Sequence, residues 1–169
     1  MKEFEKQQFD FQKKKKIYFH GISFLYPNFF QKGIKYHMFK EDGISLVSYD
    51  LGIYLSVEKF DKKEISNFVN DYDYKKIDLI TTHNFYLENR RNSLLFYENS
   101  VNSTLPKGCR FDGMMEVLYG RNEDFDDDLK YFIATMEKEG AFYVFQLICT
   151  HEMSGYLWDD FEDILKSVR

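Results

Sequence analysis

The sequence predicts an α+β fold in which an antiparallel β-sheet is flanked by helices, and three observations carry that prediction. Aromatic residues make up 19% of the chain, with 18 Phe, 13 Tyr and one Trp against two alanines, Ala134 and Ala141. A core of such large flat side chains suits a sheet better than a close-packed helical bundle. Short apolar and β-branched runs separated by Gly, Asp and Pro turns fill residues 17–57 and 110–150. Two segments, near 61–72 and 154–168, instead show the i, i+3, i+4, i+7 spacing of amphipathic helices. A length of 169 residues corresponds to one domain and is too short for a catalytic barrel of about 250 residues.

Taken in order, residues 1–15 read as a polar tail whose Phe4, Phe9 and Phe11 leave it able to dock, and residues 16–169 as a single domain. Ile17 to Tyr26 reads as one strand, stopped by Pro27-Asn28. Gly33 opens a second run, Ile34 to Phe39. The turns Glu41-Asp42-Gly43 and Asp50-Leu51-Gly52 then bracket Ile44 to Tyr49 and introduce Ile53 to Val57, which together make a meander. Asp61 with Glu64 three residues on forms a capping box for a helix that carries Ile65, Phe68, Val69 and Tyr72 on one side. Residues 75–97 fit either a second helix, with Ile77, Ile80, Asn84 and Leu87 on one side, or a hairpin of Phe85 to Leu87 with Leu94 to Tyr97. The helix is the preferred reading. Asn99 to Gly108, rich in Asn, Ser and Pro, is a loop.

Arg110 to Tyr119 reads as a strand and Asn122 to Asp128 as an acidic loop. Leu129 to Met136 and Ala141 to Thr150 flank Glu137-Lys138-Glu139-Gly140 and form a hairpin placed at the sheet centre. From Ser154 the apolar set Leu157, Trp158, Phe161, Ile164, Leu165 and Val168 opposes Asp159, Asp160, Glu162, Asp163 and Lys166. The acids lie early and the cation late, as the helix dipole favours.

Charge narrows the partners. Twenty-three cations against 28 acids leave a net charge of -5, and eighteen of the cations are Lys, the poorer fork for phosphates and bases, so no nucleic-acid partner is expected. The run Lys13 to Lys16, close to Glu3, Glu5 and Asp10, reads as a solvated charge run and is assigned no site. The apolar stretch after it is interrupted by His20, Gly21 and Ser23 and lacks a small-residue cleavage site, so it is not a signal peptide. No stretch reaches the roughly 18 apolar residues of a spanning helix. Cys109 and Cys149 stand apart with no CxxC pairing and read as reduced core thiols, which places the protein in the cytoplasm.

No motif announces catalysis, and no cofactor is expected. Glycines form neither a dinucleotide nor a phosphate-loop fingerprint. His151-Glu152, in HEMSG, lacks the second His of a metalloprotease helix and reads as a strand-end polar pair. Nothing around Cys109, Cys149, His20, His37, His83 or His151 suggests an activated thiolate. Asp124, Asp126, Asp127 and Asp128 lack the alternating ligands, glycine and terminal Glu of a calcium loop, and read instead as a solvated acidic surface able to bind a partner.

The strings ISFLYPNFF (residues 22–30), IYLSVEKF (53–60) before a helix, the hairpin YFIATMEKEGAFYVFQLICT (131–150) and the terminal FEDILKSVR (161–169) resemble, in this order, the PsbP/Mog-type α/β/α sandwich over about residues 17–169. That superfamily includes extrinsic photosystem subunits, a Ran-binding nuclear import factor, DcrB-like bacterial proteins and Eag-type chaperones of type VI secretion effectors. Its members mostly bind other proteins and share no active-site motif, so the resemblance carries over no catalytic residue. It implies a non-catalytic protein-binding module: a bacterial cytoplasmic adaptor, a secretion-effector chaperone or an immunity protein, with a toxin, effector or secretion component as partner. The alternative is a small enzyme or ligand-binding protein with a pocket near His151 and Glu152. An uncovered sheet edge or face would serve a homodimer as well as a foreign partner.

Overall fold

Residues 13–35, 38–99, 104–124 and 127–169 are described by a computed structural model. Their strands are β1 (Lys14–Phe19), β2 (Ile22–Pro27), β3 (Gln31–Lys32), β4 (Ile44–Ser48), β5 (Ile53–Phe60), β6 (Phe96–Asn99), β7 (Gly113–Arg121), β8 (Asp128–Lys138) and β9 (Ala141–Thr150). The helices are α1 (Lys62–Val69), α2 (Leu79–Asn92) and α3 (His151–Ser167). Strands β1 and β2 form a separate hairpin, and the other seven make one antiparallel sheet in the order β3-β4-β5-β9-β8-β7-β6.

Side chains alternate across a strand, so the central pair β8 and β9 shows two faces. Phe132, Ala134 and Met136 pair with Leu147, Phe145 and Tyr143 on one face. They pack with Leu157, Phe161, Ile164 and Leu165 of α3 and with Phe19, Ile22 and Phe24 of the β1–β2 hairpin. On the other face Tyr131, Ile133, Phe142, Val144 and Ile148 pack with Ile65 of α1 and with Tyr86 and Leu87 of α2. The result is the expected α+β arrangement, a sheet between two helical layers. The β8–β9 hairpin lies at its centre.

The layer beneath α2 is seamed with polar groups. Glu58, fully buried, accepts from the Tyr86 hydroxyl at 2.7 Å and from the amides of Phe39 and Lys40 at 2.7 and 2.8 Å. Burial pushes its carboxyl pKa up, against the lowering pull of those bonds. Arg90 donates from Nε to Gln146 Oε1 at 2.8 Å and stacks over the Tyr131 ring. His83, also fully buried, has Nδ1 2.8 Å from Thr135 Oγ1 and Nε2 3.9 Å from Glu116 Oε1. These buried polar residues lower the apolar periodicity of α2, which is why its sequence fitted a hairpin almost as well. The helix begins at Leu79 because the Asp78 side chain accepts from the Thr81 amide at 2.8 Å.

Several expected elements differ. Ile17 to Tyr26 is not one strand but the β1–β2 hairpin, turned at His20 and Gly21. Both have positive φ, 40° and 97°, the conformation a two-residue hairpin turn requires and one that Gly21 meets without strain. Ile34 to Phe39 forms no strand among its described residues; Glu58 holds the Phe39 and Lys40 amides instead. Leu94 to Tyr97 does enter a strand, but β6 pairs with β7 and not with residues 85–87, which are helical. Helix α3 starts at His151, three residues early, because the Thr150 hydroxyl caps the Met153 amide directly at the end of β9. His151 and Glu152 therefore occupy a first helical turn rather than a strand end. Cys149 is fully buried as expected, whereas Cys109 is only partly buried against the core.

Trp158 is half-buried against Phe132, with ring centroids 5.5 Å apart. Trp158→Ala should lower stability by about 2–3 kcal/mol, seen as a fall in the urea midpoint at unchanged slope. Burial, with a smaller push from the Arg91 charge, takes the His83 pKa from 6.5 to about 4, so its neutral form is the folded one. Stability present above pH 6.5 should be lost as pH falls toward 4, at up to about 1.4 kcal/mol per pH unit. His83→Gln should flatten that slope in urea titrations run across this range.

Candidate functional site

Helix α3 packs mainly on β2, β8 and β9, which leaves the far corner of that sheet face open. The antiparallel register sets what is shown there. Phe96 pairs with Arg121, Glu98 with Tyr119, Tyr119 with Lys130, and Arg121 with Asp128, so all six side chains share the α3 face. Glu98, Asn99, Val117, Tyr119, Lys130 and His151 line an open concavity of about 470 Å³. His151, at the first turn of α3, sets its ring edge-on to Tyr119 with centroids 5.3 Å apart.

An ion-and-hydroxyl cluster braces this corner. Asp128 accepts from the Tyr119 hydroxyl and from Arg121 Nε, each at 2.9 Å. The Tyr119 bond and the Arg121 guanidinium hold the Asp128 carboxyl below the usual range, and the same bond to Asp128 raises the Tyr119 phenol. Strand β6 forms the border. All four of its residues are exposed, and Leu95, Phe96 and Tyr97 are 59%, 46% and 49% accessible, an apolar run on the outermost strand of the sheet among the described residues.

The acidic residues expected to form one surface have separate fates. Asp128 opens β8 and is committed to Tyr119 and Arg121. Asp124 sits in a turn, its amide donating to Asn122 Oδ1 at 2.9 Å, and Asp127 accepts from the Asp128 amide at 2.8 Å. Asp126 lies outside the described residues. The structure thus brings Asp128 and His151, candidates from two different readings, to one corner, while Glu152 is exposed on the helix and does not line the concavity.

Nucleophilic chemistry finds poor support. Burial pushes the Cys149 thiol up to about 12 and raises that of Cys109, so both are protonated at neutral pH. His20 lies at the β1–β2 turn, 3.7 Å from Asp42, His83 is on the buried side of α2, and His37 falls outside the described residues. Among the described residues no three His, Cys, Asp or Glu converge on a metal position, and no helix is long and apolar enough to cross a membrane.

Phe96, Glu98, Tyr119 and Lys130 were not singled out by sequence reasoning. They come from three strands and meet only through cross-strand register. The one linear signal is Leu95-Phe96-Tyr97, since consecutive large apolar residues on a strand must point to both faces.

No protein-family model and no curated protein matches the sequence. Solved structures match in shape. A point mutant of the protein Mog1 superposes with a TM-score of 0.59 at 12% identity, over 94% of this chain and 96% of that one. LpqN of Mycobacterium tuberculosis, described as involved in cell envelope biogenesis, gives 0.52 at 12% identity over 92% and 89%. The PsbP protein of the cyanobacterium Synechocystis gives 0.50 at 12% identity over 92% and 91%. Such identity speaks to fold alone. The chain has the PsbP/Mog-type α/β/α sandwich that its sequence pattern implied.

Gly120 lets β6 approach β7, because a Cβ there would lie 2.3 Å from the Phe96 carbonyl oxygen. Gly120→Ala should detach β6 while sparing the core. Hydrogen exchange should then show faster exchange of β6 amides with β8 and β9 still protected.

Proposed function

We propose that the chain is a non-catalytic protein-binding module and that the corner of β6, β7 and β8 is its recognition surface. The observation that carries this is the exposed apolar and aromatic run, Leu95 to Tyr97, beside an open concavity lined by Glu98 and Lys130, on a sheet face that also carries Arg121 and Asp128. Aromatic anchors within a charged rim are the anatomy of protein interfaces, whereas small-molecule sites are more enclosed and more apolar. The alternative, an enzyme or ligand binder at His151, is the weaker reading. Its aromatic neighbour Tyr119 is held protonated by Asp128, and both thiols are protonated as well.

Among protein-binding roles, the mixed charge favours a partner chosen by electrostatic complementarity, as an immunity protein or an adaptor would be. An effector chaperone would need an apolar groove long enough for a helix. A complementary partner would present cations opposite Glu98, Asp124, Asp127 and Asp128 and an apolar anchor opposite Phe96. A bacterial cytoplasmic setting, with a toxin, effector or secretion component bound, fits this reading.

Affinity purification of the tagged protein from its native cells, beside a sizing column, tests the proposal. The wild type should recover one stoichiometric foreign protein, and Phe96→Asp should lose it by at least tenfold with unchanged thermal melting. Retention of the partner by that variant would remove the corner assignment. A chain that elutes only with copies of itself would remove the adaptor reading in favour of a homodimer.

A further inference from the structure

We propose that the outer edge of β1 is a second docking site, which accepts an extended acidic segment of another protein as an added strand. The argument starts from hydrogen-bond parity in the β1–β2 hairpin. Phe19 and Ile22 flank a two-residue turn and are therefore a hydrogen-bonded pair, so Ile17–Phe24 and Lys15–Tyr26 are hydrogen-bonded too, two residues at a time along the ladder. The next member of the series agrees, with the Asn28 amide bonded to the Lys13 carbonyl at 3.0 Å. The backbone groups of the intervening residues, Lys14, Lys16 and Tyr18 on β1 and Ser23 and Leu25 on β2, must point away from the hairpin.

On β2 those outward groups are occupied. Ser23 exchanges two bonds of 2.9 Å with Arg169, and the Leu25 amide donates to Ser167 Oγ at 2.8 Å. The C-terminal residues thus close that side. On β1 the outward N–H and C=O of Lys14, Lys16 and Tyr18 meet no partner among the described residues, which leaves a ladder of three rungs at the two-residue spacing of a strand. The same three side chains share one face and are exposed, Tyr18 at 76%, with the Lys16 ammonium 5.2 Å from the Tyr18 ring centroid. Lys14 makes one ion pair, a half-exposed contact of 3.4 Å with Asp163.

Lysines on an open edge commonly serve to refuse strands. Here the refusal is selective. A second β1 would set Lys against Lys, and an uncharged strand would give the ammonium groups no partner. A segment with carboxylates at alternate positions would place them beside Lys14 and Lys16 while its backbone completes the ladder. The cationic edge also stands out on a chain of net charge -5, which draws an acidic segment toward it. At the turn end of the hairpin lies an open concavity of about 390 Å³ lined from Tyr18 to Ser23 and by Arg169.

The test uses the full chain and a fluorescein-labelled octapeptide of alternating Glu and Val, read by fluorescence anisotropy at low and high salt. The peptide should bind at least tenfold more tightly than its Lys-Val counterpart and weaken as salt rises. Affinity should fall at least tenfold for Lys14→Glu with Lys16→Glu, and equally for a peptide methylated at every backbone nitrogen, which keeps the charge but cannot donate to the ladder. Lys15→Glu, on the opposite face, should have a smaller effect, and Phe96→Asp none. Equal binding of the methylated peptide, or equally tight binding of an oligothymidine of the same charge, would overturn the strand site in favour of a general polyanion surface. No binding of the Glu-Val peptide would overturn it outright. The charge-reversal variants sit on exposed side chains and are checked by thermal melting.

Discussion

Strands β8 and β9 are buried on both faces, and the other elements take their places from that constraint. Their hairpin turns at Glu139 and Gly140, whose φ angles of 51° and 76° set Lys138 opposite Ala141 and so the whole register. A slip of one residue would carry Thr135 and Gln146 into the α3 layer and move Ala134 and Phe145 beneath α2. Two apolar faces need two covers. One is α3, which follows β9 with no intervening loop because Thr150 ends the strand and caps the helix. The other is the α1–α2 layer, reached through β5, the strand on the opposite side of β9.

The two layers differ in chemistry. The α3 side is almost wholly apolar, while the α2 side buries Glu58, His83, Arg90, Thr135 and Gln146. Polar groups withdrawn from water must be bonded, and directional bonds constrain geometry more sharply than apolar contact does. Turning α2 by one residue, about 100°, would separate Tyr86 from Glu58 and Arg90 from Gln146 together. The seam therefore sets one seat for α2 and also ties the segment before β4 to β5, because Glu58 spans from Tyr86 to the Phe39 and Lys40 amides.

Each border of the sheets is handled differently. Strand β3 is only two residues long, and β2 is closed by the C-terminal residues. Strand β6 is short but aromatic, and β1 is longer and cationic. Burial holds both thiols protonated and His83 neutral.

Local chemistry was enough to read the elements whose own residues specify them. Asp61 and Glu64 do form the reciprocal capping box of α1, the β8–β9 hairpin occupies the sheet centre, and α3 buries Leu157, Phe161, Ile164 and Leu165. Legibility failed where aromatic and β-branched residues on both sides mask a two-residue turn, as at His20-Gly21, and where buried polar residues blur a helix, as in α2. The candidate site was legible only in fragments, Asp128 and His151 from separate arguments. Its other members are Phe96 and Glu98 of β6, Tyr119 of β7 and Lys130 of β8, brought together by cross-strand register. The sequence by itself thus determined strands, helices and the alternation that buries them, since those depend on neighbours a few residues away. Tertiary structure alone decided which backbone groups and charges are already paired, because pairing partners such as Ser23 and Arg169, or Arg121 and Asp128, belong to different strands and termini.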